Sequence, residues 1–267
     1  RKCIWWLSLD YYLRQFPQNA PRYFCERHNI PLFLEPLIAM LLKISGRLAN
    51  NIYRFSDPNV FHLYNCEYVR EYLVKQGVQE DQMLYLCGPI SDEYFEVKVE
   101  NKENIIAYNP AKGLKYTLKL IEEVKKRKID IEFVPIKNLD NRGVIDLLSR
   151  AKLYVDFGYF PGPERIPREA VMLKAIIITS LYGSARNDID VPIPKEYKFD
   201  LDNFDHQVEF ILSLIQSIMD DYESHVKFFD KYREKVIEQK VIFSENIKKF
   251  YRKIIENTNY YKVTIKR

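Results

Sequence analysis

The chain has 267 residues, of which 47% are hydrophobic and 14% aromatic, enough for one large domain or two smaller ones. Its net charge of +4 is too small to indicate nucleic-acid binding, and we expect no nucleic-acid partner. The four cysteines lack a Cys-x-x-Cys spacing, which disfavours zinc or a disulfide framework and favours free thiols in a cytoplasmic protein. The longest apolar run, residues 31–44, is interrupted by charged residues and is too short to span a bilayer.

Residues 1–98 are predicted to form a first α/β domain. Residues 3–9 are a continuous apolar strand that ends near Asp10, and two shorter strands follow with a helix between them. Because the chain enters its first strand directly, we expect this domain to be incomplete at its N-terminal side. The charged stretch 96–103 predicts a linker to a second domain.

Residues 99–204 alternate between strands and helices, which predicts a second domain with a parallel sheet. Its first strand, residues 105–108, leads into a loop with Asn109, Lys112 and Gly113, and a helix follows. A lysine at the positive N-terminal end of a helix is unfavourable unless an anion lies beside it. Phosphate binding and simple exposure to solvent are therefore equally good explanations for the position of Lys112.

The stretch 153–199 organises this second domain. A strand, a turn rich in glycine and proline, a helix and a strand make half of a doubly wound sheet, in which ligands bind at the carboxyl ends of the strands. At that edge the sequence places Arg165, Arg168 and Glu169. A helix N-terminus flanked by arginines suits a phosphate, and a carboxylate can accept hydrogen bonds from two neighbouring sugar hydroxyls.

Residues 205–267 are predicted to be a helical tail, with residues 205–253 mostly helix. Residues 226–267 hold twelve Lys or Arg and five Asp or Glu, which gives this part of the chain a charge of +7. Two interpretations stay open: a solvated helical face, or peripheral contact of the basic helices with an anionic membrane.

Three segments of the chain resemble a known family. They read YNPAKGLKYTLKLI, PGPERIPREA and IIITSLYGSARND, and they are similar to the donor domain of GT-B glycosyltransferases, above all bacterial polysaccharide enzymes. The resemblance covers residues 5–199 and implies an α/β fold with two Rossmann-like domains facing a cleft. Residues 1–98 would be the acceptor side, 99–204 the donor side, and the helical tail would pack partly on the first domain.

The resemblance also implies a donor site. Glu169 would hold the ribose, Lys137 and Asn138 would line the base pocket, and Asp10 is the candidate general base on the acceptor side. The lysine and arginines would meet the diphosphate. The implied donor-binding residues are Asn109, Lys112, Gly113, Lys137, Asn138, Gly162, Arg165, Arg168, Glu169, Gly183 and Ser184.

We therefore expect a glycosyltransferase that moves a sugar from a nucleotide-sugar to a saccharide or lipid-linked acceptor in surface-polysaccharide synthesis, in the cytoplasm or at the inner face of the membrane. A sugar-nucleotide epimerase or hydrolase of the same fold stays open, as does a non-catalytic nucleotide- or polysaccharide-binding module. A Rossmann dehydrogenase is disfavoured because no Gly-x-Gly-x-x-Gly follows a strand. The Asp-x-Asp string at Asp188 and Asp190 lies beyond a strand among prolines, so we expect no metal and no other cofactor.

Overall fold

The computed structural model describes residues 2–14, 16, 19–28, 30–47, 55 and 57–264. By their internal contacts the residues form two compact units. The first comprises Arg1–Asn65 and Val69–Tyr85, and the second comprises Cys66–Tyr68 and Leu86–Arg267. The sequence places the boundary after residue 98 and separates a C-terminal tail, whereas the contacts end the first unit at Tyr85 and include the C-terminal helices in the second.

The first unit contains a three-stranded parallel sheet in the order β1-β2-β3. The strands are β1 (Lys2–Trp6), β2 (Val60–Tyr64) and β3 (Met83–Tyr85). The helices in this part of the chain are α1 (Leu9–Leu13), α2 (Ala20–Arg27), α3 (Glu35–Ile44) and α4 (Glu67–Lys75).

The first strand is shorter than the sequence predicts. Strand β1 ends at Trp6 and helix α1 begins at Leu9, so the predicted strand over residues 3–9 is wrong at its C-terminal end. Ser8 has the extended backbone (φ −152°) that is usual for a residue preceding a helix, and Asp10 falls in the first helical turn, where an acidic side chain is favourable. Asp10 therefore lies on a helix and not at the end of a strand.

The second unit contains a five-stranded sheet in which every neighbouring pair is parallel, as predicted. The strands are β4 (Glu103–Tyr108), β5 (Glu132–Pro135), β6 (Ala151–Asp156), β7 (Ile176–Ser180) and β8 (Lys198–Phe199). Their order is β5-β4-β6-β7-β8, so the winding direction reverses between β4 and β6. In such sheets ligands bind at that reversal, outside the carboxyl ends of the strands.

Helices connect the strands of the second unit and bury an apolar face against the sheet. Leu120 and Val124 of α6 are buried four residues apart, and Leu147 and Leu148 of α7 are buried three and four residues after Val144, as on one face of a helix. The helices are α5 (Glu93–Glu96), α6 (Leu114–Lys126), α7 (Asn141–Arg150), α8 (Arg165–Met172), α9 (Phe204–Asp220), α10 (Tyr222–Val226) and α11 (Asp230–Thr264).

The C-terminal region is helical, which confirms that prediction for residues 205–253. The helices α9 and α10 meet at Asp221, whose carboxylate accepts a hydrogen bond from the backbone N–H of Ser224 at 3.3 Å. Ile211 and Ile215 of α9 are buried in the core of the second unit, and α11 contacts α8. The packing of the tail on the first domain stays a prediction.

The charged stretch 96–103 is not a solvated linker throughout. The ammonium group of Lys102 donates hydrogen bonds to the backbone carbonyl oxygens of Leu148 at 2.9 Å, Ala151 at 2.8 Å and Leu173 at 2.7 Å. These carbonyls lie at the C-terminal ends of α7 and α8, where the helix dipole favours a positive charge. Lys102 therefore ties two helices of the second unit together.

All four cysteines lie in the described part of the chain and none is in a disulfide, as the sequence predicts: Cys3 is exposed and Cys25, Cys66 and Cys87 are buried. Within the described residues no helix combines the length and the apolar character needed to cross a bilayer.

Candidate functional site

Two loops meet at the carboxyl edge of the second sheet, where β4 and β6 end. Gly113 has a left-handed backbone (φ +60°), and a Cβ at this position would lie 2.4 Å from the backbone oxygen of Phe157. A Cβ on Gly158 would lie 2.5 Å from the Cβ of Lys112. Contacts this short require glycine at both positions, so the two loops hold each other in place.

Lys112 lies in this loop contact, immediately before α6. Its Nζ forms an ion pair with Glu164 Oε2 at 2.6 Å and donates to the backbone oxygen of Tyr159 at 3.4 Å. The ammonium group also lies 5.7 Å from the ring centre of Phe160, close enough for a cation–π contact. The structure thus places the predicted lysine at the sheet edge with a carboxylate partner, Glu164, that sequence reasoning missed.

Asp156 is the last residue of β6, and its buried carboxylate organises the loop that follows. Oδ1 accepts from the backbone N–H of Gly158 at 2.9 Å, and Oδ2 accepts from the hydroxyl of Tyr154 at 2.8 Å. Burial raises the pKa of Asp156 to about 6, although the charge of Lys112 and the two hydrogen bonds oppose that shift. Sequence reasoning missed this residue; the available signal was a lone carboxylate at the end of an apolar strand.

Glu169 is the fifth of the eight residues of α8 and is 1% exposed. Its Oε1 pairs with Nε of Arg165 at 3.0 Å, whereas its Oε2 is buried and accepts no hydrogen bond from any residue that the structure describes. The nearby hydroxyl of Tyr94 donates its hydrogen to Asn141 Oδ1 at 2.9 Å. Burial raises the pKa of Glu169, and the charges of Arg165 and Arg168 oppose the shift.

Arg168 is buried, and its guanidinium group donates to the chain itself. Nε donates to the backbone oxygen of Glu164 at 3.1 Å and Nη2 to that of Pro163 at 3.2 Å. Nη1 donates to the backbone oxygen of Gly88 at 2.8 Å and to Gln239 Oε1 at 3.1 Å. These contacts support the loop before α8, and the anion-binding role that the sequence gives Arg168 stays a prediction. The side chain of Arg165, by contrast, is 67% exposed.

A second contact joins the loop after β6, which contains Gly162, to the loop after β7, which contains Gly183 and Ser184. Gly183 has φ +66°, and a Cβ there would lie 2.0 Å from the backbone oxygen of Phe160. The hydroxyl of Ser184 donates to the backbone oxygen of Gly162 at 2.7 Å. The backbone N–H of Ser184 donates to the backbone oxygen of Phe160 at 2.8 Å. Both donors of Ser184 thus hold the proline-rich loop.

The remaining predicted donor residues lie at the ends of β4 and β5. Asn109 Oδ1 accepts from the backbone N–H of Ala111 at 3.0 Å and so shapes the loop that carries Lys112. Lys137 and Asn138 follow β5 and are exposed, and Asn138 has a left-handed backbone (φ +56°). Among the described residues, neither Lys137 nor Asn138 forms a hydrogen bond or an ion pair with Glu169 or Lys112.

Asp10 belongs to the first unit and is engaged by its neighbours. Its Oδ1 accepts from the hydroxyl of Tyr23 at 2.9 Å, and its Oδ2 pairs with Nη2 of Arg14 at 2.5 Å. The carboxylate is buried, so these contacts are those of a structural aspartate. Its catalytic role, which rests on the resemblance, stays a prediction.

The Asp-x-Asp string is structural. Asp188 pairs with Nζ of Lys198 at 2.8 Å, and Asp190 accepts from the backbone N–H groups of Glu67 at 2.7 Å and Tyr68 at 2.8 Å. Within the described part of the chain, no three His, Cys, Asp or Glu side chains are grouped so that they could hold a metal ion.

The fold defined by these sheets, helices and loops is that of the GT-B glycosyltransferases. The α/β architecture with parallel sheets matches solved glycosyltransferase structures, which confirms the predicted fold class. No protein-family model matches the chain, and no curated protein matches it.

Three solved structures illustrate the likeness. TarM from S. aureus is 16% identical with a TM-score of 0.50, over 69% of this chain and 42% of TarM. A glycosyltransferase from Rickettsia africae is 15% identical with a TM-score of 0.51, over 74% of this chain and 64% of that protein. HepE from Anabaena, solved in complex with UDP, is 10% identical with a TM-score of 0.50, over 82% of this chain and 67% of HepE. The chain thus spans less than half the length of TarM.

Proposed function

We propose that the chain transfers a sugar from a nucleotide-sugar donor, and that the second unit binds this donor at the carboxyl edge of its sheet. The observation that carries the proposal is the carboxylate of Glu169. One of its oxygens is buried without a hydrogen-bond partner among the described residues, next to the exposed cation Arg165. A buried acceptor without a donor is costly, and a ligand hydroxyl would satisfy it.

The neighbouring groups fit the rest of a nucleoside diphosphate. The ribose of such a ligand carries two adjacent hydroxyls, and the carboxylate of Glu169 can accept a hydrogen bond from each. The diphosphate of the ligand is an anion that Lys112 and Arg165 can bind. Lys112 is held by the carboxylate of Glu164, which leaves its ammonium group at the loop surface, half buried, before a ligand binds. The structure of HepE with UDP supports this ligand class.

Catalysis at such a site is mainly the stabilisation of charge. When the bond between the sugar and the diphosphate breaks, negative charge develops on the leaving phosphate oxygen, and preorganised cations stabilise it. Lys112 and Arg165 would supply that charge here, while the buried Asp156 fixes the loop through Gly158. We propose that this reaction needs no metal and no further cofactor.

The acceptor is a saccharide or a lipid-linked saccharide, and the reaction belongs to bacterial surface-polysaccharide synthesis on the cytoplasmic side of the membrane. The basic C-terminal helices, with a charge of +7 over residues 226–267, would bring the protein to an anionic membrane surface. The support for these points is the sequence resemblance and the charge of the tail.

A thermal-shift screen with UDP-, GDP-, ADP- and CMP-sugars tests the proposal. We expect one nucleotide class to raise the unfolding temperature, because a ligand that binds only the folded state stabilises it. Incubation of that donor without acceptor separates the alternatives: an epimerase or hydrolase converts the donor alone, whereas a transferase needs the acceptor. A chain that no sugar nucleotide stabilises would contradict the proposal.

A further inference from the structure

Gln239 connects the long C-terminal helix α11 to the candidate site. Its side chain is buried, with 3% of the residue exposed. Its Oε1 accepts from Nη1 of Arg168 at 3.1 Å, and its Nε2 lies 3.6 Å from the sulfur of Cys87 as a donor. A glutamine that uses both ends of its amide in a core fixes the position of its partners.

Arg168 passes this constraint on to the loop before α8. Its guanidinium group donates to the backbone oxygens of Pro163 and Glu164, the two residues that precede the helix. Glu164 in turn pairs with Lys112. Hydrogen bonds and one ion pair therefore run from α11 to Lys112, one of the two side chains that we assign to the diphosphate end of the site.

The charge of Arg168 also acts on Glu169. The acceptors of Arg168 named above are neutral carbonyl and amide oxygens, and no carboxylate of a described residue contacts its guanidinium group. The groups that face Glu169 are Arg165 and Arg168 from its own helix, Tyr94 from α5 and Tyr154 from β6. Arg165 pairs directly with Glu169 and has the larger effect on its pKa, but its side chain is mostly exposed, so solvent screens its charge. Arg168 has the smaller effect on the pKa of Glu169 and is buried.

We propose that Gln239 is a positioning residue of the donor site: by holding Arg168 it fixes the loop before α8 and keeps a positive charge next to Glu169. This inference rests on the proposed function for its ligand. The hydrogen-bond geometry of Gln239, Arg168 and the loop does not depend on that function.

The first arm of the test uses the protein without ligand. The pKa of Glu169 is measured by carbon NMR of its labelled carboxyl group in the wild type, Gln239→Leu and Arg168→Met. We expect both variants to raise it, and we expect Gln239→Leu to add nothing when Arg168 is already Met. Glu238→Leu, at the exposed neighbouring position on α11, is the matched control and should leave the pKa unchanged.

The second arm measures UDP affinity by calorimetry across the pH range in which Glu169 titrates. Gln239→Leu should weaken UDP binding about tenfold, the scale of a lost hydrogen bond to a charged group. UDP binding is lost at acid pH when Glu169 is protonated, and Gln239→Leu should move this loss to a higher pH. Gln239→Asn, which withdraws the amide by one methylene, serves if Gln239→Leu does not fold.

The two arms separate the two claims. A Gln239 variant that lowers the unfolding temperature but leaves both the pKa of Glu169 and the UDP affinity unchanged would show a purely structural glutamine and overturn the inference. A wild-type protein that binds no nucleoside diphosphate would overturn the proposed function, and the NMR arm would still decide whether Gln239 acts through Arg168.

Discussion

Asp156 and Glu169 are two buried carboxylates at the carboxyl edge of the second sheet, and burial raises the pKa of each. Their surroundings differ. Asp156 has hydrogen-bond donors for both oxygens, whereas Glu169 has an oxygen without a donor among the described residues. A satisfied carboxylate shapes a loop, and an unsatisfied one is available to a ligand. This difference supports the proposal, which comes from the family resemblance, that Glu169 binds the ribose.

Asp156 should make the stability of the protein fall as the pH rises through about 6. Its pKa is raised from 3.8 to about 6 in the folded state, so the folded state holds a proton between these values that the unfolded chain has lost. The favourable contribution is complete below pH 3.8 and lost above about 6, a change of about 3 kcal/mol at 1.36 kcal/mol per pKa unit.

Asp156→Asn removes this titrating group and so tests whether Asp156 makes the protein less stable as the pH rises. The free energy of unfolding of the variant minus that of the wild type should increase between about pH 4 and pH 7, as measured by urea unfolding. Asp146→Asn, at an exposed position on α7, is the control and should show no such increase. Parallel pH curves for the wild type and Asp156→Asn would refute the assignment.

At the residue scale, sequence reasoning found side chains whose chemistry contradicts their local setting. Lys112 and Arg165, two cations at positive helix ends, are such cases, and both lie at the sheet edge. Arg168 fits the same local pattern, yet its acceptors come from residues 88 and 239, far away in the sequence. No local spacing reveals such partners, which is why its supporting role could not be predicted.

At the scale of elements, hydrophobic periodicity predicted the strands and helices of the second unit because each buries one face in a regular pattern. The ends of elements were predicted less well. Helix α1 begins within the predicted first strand because local polar residues at Ser8 and Asp10 outweigh the apolar run. The charge of residues 96–103 predicts a linker, although the carbonyl oxygens at the ends of α7 and α8 hold the half-buried side chain of Lys102.

Lys102→Met should therefore destabilise the second unit. The variant leaves three carbonyl oxygens without their ammonium donor at the ends of two helices, and we expect a loss of about 3 kcal/mol, since each buried unsatisfied group costs about 1–3 kcal/mol. Lys98→Met is the matched control, because the Lys98 side chain is 87% exposed. The unfolding temperatures of both variants measure this effect. An equal loss of stability in the two variants would contradict a stabilising role for the hydrogen bonds of Lys102.

At the scale of the whole molecule, the fold class was predictable because alternating strands and helices allow few topologies. The division of the chain was less accessible. The contact boundary at Tyr85 depends on which residues meet across the sequence, and the charge of residues 96–103 gives no sign of it. The C-terminal helices belong to the second unit for the same reason: α11 packs on α8 through residues distant in the chain.

The basic tail should bind anionic membranes if its charge has the proposed role. We expect the protein to sediment with phosphatidylglycerol vesicles at low salt and less at high salt, since salt screens exposed charges. Replacing Lys248 and Lys249 of α11 by Glu should abolish this. The same change at Lys125 and Lys126 of α6 alters the net charge equally and should have a smaller effect. Equal losses in the two variants would refute a tail-specific contact.

Calorimetry with UDP and uridine on the wild type, Lys112→Ala and Glu169→Gln tests the central claim most directly. Glu169→Gln keeps the shape of the side chain but removes the charged acceptor, so it should weaken the binding of both UDP and uridine by about 1.5–3 kcal/mol. Lys112→Ala should weaken UDP and leave uridine nearly unchanged, because uridine lacks the diphosphate. Lys119→Ala, at an exposed site on α6, is the control. UDP affinity that stays at the wild-type value in both Lys112→Ala and Glu169→Gln would contradict the assignment of this edge as a donor site.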